Sequence, residues 1–414
     1  MSSRYSTVPQ SPIDPFIQSP MTADEDYGVA SQDRVFEELL DAEVAVNLEK
    51  LREAARMGIP PAYRGVVYRY LLGVAFTDKS SEMTMEELQD KDFQLLRGAY
   101  TRIWGGADED DDRGDAGGGA DIGGGRGTSS KVAATNALKT LLAFSTSSTA
   151  SAVGATNLSG PLQTRLSSDD ADCSRCPLHM PFTYRSSSAV LSHTPSATLA
   201  AWEEALAALR HAVPYNHDAR QRAKIESAVA ALQVMYSAVS IDHVQLLVLF
   251  ARQLDLISST ARDTFFTVNA LYQVLTRERN ILHGERALQL HCANFLMLFR
   301  ATLPPLYEHF LAEGVTTWEW VPSLLTSFFA SRMHPDDVCA LWDYYLADKS
   351  EHQAMGLHPY ACLATLSALT ELLIEAEKTE LLYCLEHLPR IDTAAIMRKA
   401  VLIRESVYSK GLLA

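Results

Sequence analysis

Apolar residues recur along most of this chain at intervals of three and four, the spacing that puts side chains on one face of an α-helix. Phe36, Leu40, Val44 and Leu48 fall at four-residue steps, and Leu39 and Leu51 share their side. The pattern predicts one amphipathic helix from about Gln32 to about Gly58, a residue suited to a helix end because it reaches left-handed backbone without a Cβ clash. Pro60-Pro61 predicts the start of a second helix, where the missing amide would have had no partner. Thr84, three residues ahead of Glu87, has capping-box spacing and predicts a third helix running to about Trp104. From Ser196 onward the helical period returns. It predicts helices over 197–212, 218–238, 242–257, 260–279, 285–302, 304–313, 317–331, 336–347, 358–377, 379–388 and 393–409. Pro304-Pro305 and His334-Pro335 fall at helix starts, and Gly314 and Pro389 at boundaries. No window sustains two-residue alternation and no repeat of solenoid length is visible, so the fold class is all-α.

Two stretches break the pattern. Residues 1–30 are rich in Ser, Thr and Pro, and bury too little apolar surface to offset chain entropy; they are expected to be a disordered tail. Its Ser11-Pro12 and Ser19-Pro20 pairs are candidates for phosphorylation. Residues 105–195 hold an acidic run from Asp108 to Asp112, glycine triplets at 117–119 and 123–125, and long Ser, Thr and Ala tracts. A compact domain does not hold so long a structureless loop, so this is read as a low-complexity disordered insertion, with a short transient helix at Ala134 to Phe144. The expected organisation is therefore a tail (1–30), N-terminal helices (31–104), the insertion (105–195) and the main helical part (196–410). With 414 residues, 47% of them hydrophobic, the chain can bury one large core.

Composition narrows the function classes. The formal net charge of −15 argues against a general nucleic-acid binder, since phosphates are met by Lys and Arg, but leaves room for a local basic face. The start of the chain lacks a charged segment followed by an apolar run, and no stretch reaches the ~20 apolar residues of a membrane span. The run Leu246 to Ala251 is followed at once by Arg252 and Asp255. A soluble, cytoplasmic protein is expected. Cys292, Cys339, Cys362 and Cys384 lie singly on apolar helical stretches, as buried free thiols do in a reducing compartment. Cys173 and Cys176 form one CxxC near His179 and His193, half of a zinc site without a second CxxC to complete it.

Self-contained active sites find no support. The Gly-rich run lacks the strand and the Gly-Lys-Ser/Thr of a phosphate loop, and there is no Gly-x-Ser-x-Gly, His-Glu-x-x-His or kinase catalytic loop. No metal or cofactor of the chain's own is expected.

Two regions carry a resemblance. Leu51-Arg52, Gly58-Ile59-Pro60, Arg64-Gly65 and Leu71-Leu72 resemble the opening of the TBC domain, the all-helical module of Rab GTPase-activating proteins, with Tyr68 where that family usually has Trp. Leu303-Pro304, Leu306, His309-Phe310, Gly314, Phe328-Phe329, Pro335, Val338 and Leu341-Trp342-Asp343 resemble its closing half; the Trp that the family places before its Leu-Phe falls on Leu324. The resemblance implies a TBC-like fold, a structural role for Arg64, and a small GTPase of the Rab type as partner in vesicle trafficking. It also implies peripheral membrane recruitment through that partner. GTP and Mg²⁺ then belong to the GTPase. The activator supplies an arginine finger, which can contribute roughly 10³ to 10⁵ in rate, and a glutamine that orients water.

The finger motifs depart from the family's Ile-x-x-Asp-x-x-Arg-Thr-x-Pro and Tyr-x-Gln-Gly-Met. Anchored on Pro214, the arginine position falls on His211 and the Asp position on Ala208, with Arg210 one residue early. His243-Val244-Gln245-Leu246 stands in place of Tyr-x-Gln-Gly. Arg210 and Gln245 are the candidate fingers. Histidine is a poor substitute for the arginine, being mostly neutral near pH 7 and lacking a planar donor fork. Two functional readings stay open: a GTPase activator with degenerate fingers, and a TBC scaffold that binds a GTPase or a complex partner without stimulating hydrolysis. An unrelated helical solenoid would require both motif regions to be coincidence.

Overall fold

A computed structural model describes residues 24–104, 195–212, 215, 217–237, 239–277, 285–348 and 355–411. The expected insertion lies outside them except for its last residue, and so do Cys173, Cys176 and most of the expected tail. The first helix, α1 (Asp24–Leu40), begins ahead of Gln32. It does not run on to Gly58. The chain leaves the helix at Asp41, and Val44 is exposed while Val46 is buried. The segment pairs with the strand-like stretch at 77–79: Val46 N–H donates to the Thr77 carbonyl (2.8 Å) and Lys79 N–H to that of Val44 (3.0 Å). Asn47, in extended backbone, then caps α2 (Leu48–Ala55) by accepting the Glu49 and Lys50 amides. Those contacts outweigh the four-residue apolar spacing that predicted one continuous helix.

The second helix starts at Arg64 rather than at Pro60-Pro61: α3 is Arg64–Leu71. Asp78 caps a 3-10 turn, Lys79–Ser81, that feeds directly into α4 (Glu82–Trp104), so Thr84 and Glu87 lie inside the helix and not at its start. Beyond the insertion come α5 (Pro195–His211), α6 (Ala219–Met235), α7 (Ile241–Asp255), α8 (Ala261–Arg277), α9 (Glu285–Thr302), α10 (Pro304–Ala312) and α11 (Thr317–Ser327). They are followed by α12 (Pro335–Ala347), α13 (His358–Ala368), α14 (Thr370–Ile374), α15 (Lys378–Glu386) and α16 (Thr393–Ser409). Most bounds agree with the periodicity. The helix predicted over 317–331 stops early, because Phe328 and Phe329 take left-handed backbone (φ 50° and 66°). The one predicted over 358–377 breaks at Leu369. Among the described residues there is no strand, only an isolated bridge between Ala45 and Asp78, and no helix is long and apolar enough to cross a membrane.

The N-terminal helices clasp the rest. α4 packs on α6 and α8, α3 on α8 and α12, and α2 on α12. The chain parts on either side of the insertion thus share one core, in which Phe93 meets Phe265 (5.8 Å between ring centroids) and Phe250 meets Trp342 edge to face (5.9 Å). Trp342 is buried with Val338 and Leu346, and its Nε1–H donates to the Phe328 carbonyl (3.0 Å).

Candidate functional site

The two candidate fingers lie on neighbouring helices. Near the start of both, the Thr198 hydroxyl on α5 donates to the Val239 carbonyl just ahead of α7 (3.3 Å). Past the end of α5, the Tyr215 hydroxyl reaches the Arg252 carbonyl (3.2 Å) and Asp255 Oδ2 (3.3 Å) at the end of α7. Helices α5 and α7 therefore run parallel, with α6 returning between their ends. Arg210 sits late on α5 and Gln245 early on α7, an axial offset of a few residues or roughly 3–9 Å.

Arg210 is exposed, and its Nε donates to Glu226 Oε1 on α6 at 2.6 Å. His211, next in the chain, is exposed as well, and Pro214, the anchor of the motif, lies outside the described residues. Gln245, the fifth residue of α7, is exposed, and among the described residues its side chain has no partner.

The turn that carries Gln245 is held by an aromatic and amide cluster that spacing alone did not reveal. His243, half-buried, places Nδ1 2.8 Å from the Tyr272 hydroxyl on α8. Burial holds the His243 pKa below its ordinary value and pushes the Tyr272 hydroxyl up to about 12, so near neutral pH a neutral imidazole faces a neutral hydroxyl. Tyr272 packs edge to face on Tyr236 (4.8 Å), whose hydroxyl bonds Asn269 and receives Gln273 Nε2 (3.1 Å).

At the other end of α7 a buried carboxylate ties three helices. Asp255 Oδ1 accepts the Thr264 hydroxyl (3.1 Å) and pairs with Lys224 Nζ (3.3 Å), which also donates to the Asp255 and Ser258 carbonyls (2.8 and 2.9 Å). Burial raises the Asp255 pKa against the pull of Lys224. A signal for it exists in the sequence, since Asp255 follows Leu247 and Ala251 at four-residue steps and so falls on the apolar face of its helix.

The family-like motifs at the two ends of the chain meet in space. Asp343 is fully buried; it accepts the Ile59 amide (3.1 Å), Arg64 Nε (3.0 Å) and the Tyr68 hydroxyl (2.8 Å), which also lies 3.0 Å from the Cys339 carbonyl oxygen. Arg64 is thus a structural residue, and Tyr68 brings a hydroxyl to the same carboxylate. Burial lifts the Asp343 pKa to about 6 against Arg64, Tyr68 and the Ile59 amide. Gly65 allows the close approach of α3, because a Cβ there would fall 2.2 Å from the Ile257 carbonyl oxygen behind α7.

Among the described residues no group of three or more His, Cys, Asp or Glu side chains could hold a metal ion. Cys362 lies 3.6 Å from His358 Nε2, but burial holds its thiol well above the ordinary range and suppresses the thiolate that nucleophilic chemistry needs.

Residues 234–374 match the model of the Rab-GTPase-TBC domain. That segment, from late α6 to the end of α14, is of the TBC family; it contains Gln245 and Leu341-Trp342-Asp343 but neither Arg210 nor the opening motif. None of the curated proteins compared matches the sequence. The crystal structure of the Ypt/Rab-GAP domain of Gyp1p is similar in fold, with a TM-score of 0.56 at 14% identity over 92% of this chain and 99% of that one. The Chlamydomonas flagellar RabGAP TBC domain is similar at a TM-score of 0.45 and 12% identity over 94% of this chain and 96% of that one.

Proposed function

We propose that this chain, with its TBC-type fold, is a Rab-GAP-like regulator of a small GTPase of the Rab type in vesicle trafficking. It works at the cytoplasmic side and reaches membranes through its partner. The observation that carries the reading is the TBC-family segment 234–374 with Gln245 exposed and unengaged at the head of α7. GTP and Mg²⁺ are the partner's, and the chain's own contribution is positioning and charge.

Binding without strong stimulation is favoured within that reading by the state of the charge. His211 occupies the arginine position of the motif, and Arg210 is engaged by Glu226. An exposed ion pair contributes only about 0–1 kcal/mol, so a GTPase phosphate can displace Glu226.

Single-turnover GTP hydrolysis across a Rab panel, paired with a binding measurement on each GTP-loaded Rab, tests both statements. The expected result is measurable binding to at least one Rab with weak stimulation. Stimulation lost at least ~100-fold in both Arg210→Ala and Gln245→Ala would make the chain a full activator. No binding to any GTP-loaded Rab would overturn the GTPase reading altogether.

A further inference from the structure

The geometry points to a second binding site, independent of the GTPase reading: a groove between the 58–64 segment and α12, bordered by the start of α16, that takes the C-terminal carboxylate of a peptide ending in an apolar residue. The groove measures about 260 Å³, and its walls include Gln32, Pro60, Pro61, Arg64, Asp343 and Tyr344. Arg64 brings the charge. Its Nε is committed to Asp343, while its two terminal nitrogens have no partner among the described residues and are not among the buried orphaned atoms. A guanidinium presents its donors as a planar fork, which matches a carboxylate edge.

The surroundings select the ligand. Asp343 lines the same groove, but its contact with the arginine runs through Nε, which leaves the two terminal nitrogens of the fork unpaired. The same carboxylate balances most of the arginine's charge, so the site suits a monoanion better than a phosphate dianion. Pro60 and Pro61 have no amide hydrogen, so that wall offers no ladder to an extended peptide and acts as an apolar face. The volume admits about one residue with its side chain. One oxyanion beside one apolar group in that space describes the last residue of a peptide.

The test titrates the full chain with N-acetyl-leucine, N-acetyl-leucinamide and inorganic phosphate, reading bound ligand by saturation-transfer NMR. The acid is expected to saturate, with the amide and phosphate at least ~10-fold weaker, the factor that one lost charge-assisted pair produces. Equal binding of the amide, tighter binding of phosphate, or no saturation by the acid overturns the assignment. Ala340→Phe fills the groove from α12 and should abolish acid binding while far-ultraviolet circular dichroism is unchanged. Should that variant fail to fold, Thr393→Trp fills it from the start of α16. Acid binding that survives in either folded variant overturns the site.

Discussion

Asp343 takes its three donors from residues 59 to 68, and its burial makes it a pH-sensitive group of the core. Its carboxyl titrates near 6 in the folded chain against an ordinary 3.8. An acid whose pKa is raised by folding adds stability that is fully present below its unfolded pKa and lost as pH rises through the folded one. Two pKa units correspond to roughly 3 kcal/mol. Relative to Asp343→Asn, the parent should therefore gain stability as pH falls from 7 to 4, as read from urea melts at each pH. Parallel pH curves for the two proteins would show that the carboxyl is not shifted. Arg64→Ala leaves the buried carboxylate without its cation and should cost about 3–5 kcal/mol at pH 7.5 and less at pH 5, where Asp343 takes up a proton. Trp342→Ala should cost roughly 3–5 kcal/mol, through lost burial and cavity, and leaves the Phe328 carbonyl without its donor. A Trp342→Ala chain that melts like the parent would contradict that packing.

Helices α3 and α7 show at the scale of elements what the sequence made legible. Arg64-Gly65 was readable as a family-like pair, but the reason for the glycine is the Ile257 carbonyl oxygen 2.2 Å from where a Cβ would stand. Gly65→Ala must push α3 away from the loop behind α7 and should destabilise by about 1–3 kcal/mol, measured by denaturant midpoint at constant m. Helix spans after Ser196 were legible because their apolar stripes are long and are bounded by proline and glycine. The break at 41–47 was not, because it depends on pairing with residues 77–79, a tertiary event that leaves Val44 on the helical period but in solvent. Asn47 was the available signal, an N-cap residue directly ahead of Leu48 and Glu49. The early stop of α11 has a similar origin. Nothing in the run Phe328-Phe329 announces left-handed backbone, and the Phe328 carbonyl is held by Trp342 from another helix. The identities of Arg210 and Gln245 were legible, but their parallel, offset placement was not. Their separation of 35 residues along the chain is compatible with helices running either way, and the direction is fixed by the Thr198–Val239 and Tyr215–Asp255 contacts.

The whole molecule is held by contacts that cross the insertion, and this decides which pieces of it can stand alone. The TBC-matching segment 234–374 contains Asp343 and Phe265 but none of their partners from the N-terminal part: Ile59, Arg64 and Tyr68 around the first, Phe93 against the second. It also omits Lys224 and Tyr215, which engage Asp255, and α16, which packs on α12 and α13. A fragment of residues 234–374 would therefore expose two buried carboxylates without their cations and the apolar faces of α7, α8 and α13, each loss counting for several kcal/mol in a domain whose net stability is about 5–15 kcal/mol. It should fail to melt cooperatively. A fragment of residues 195–414 restores Lys224, Tyr215 and α16 but still lacks the clasp, and should recover cooperative melting only when residues 24–104 are supplied as a separate chain. Deleting residues 106–194 within the intact chain cuts none of these contacts, and should leave the unfolding free energy from urea melts within about 1 kcal/mol of the parent once a linker joins α4 to α5. A cooperative transition in 234–374 alone would mean that the core closes without the N-terminal helices, and that the Arg64–Asp343 junction is dispensable to the fold.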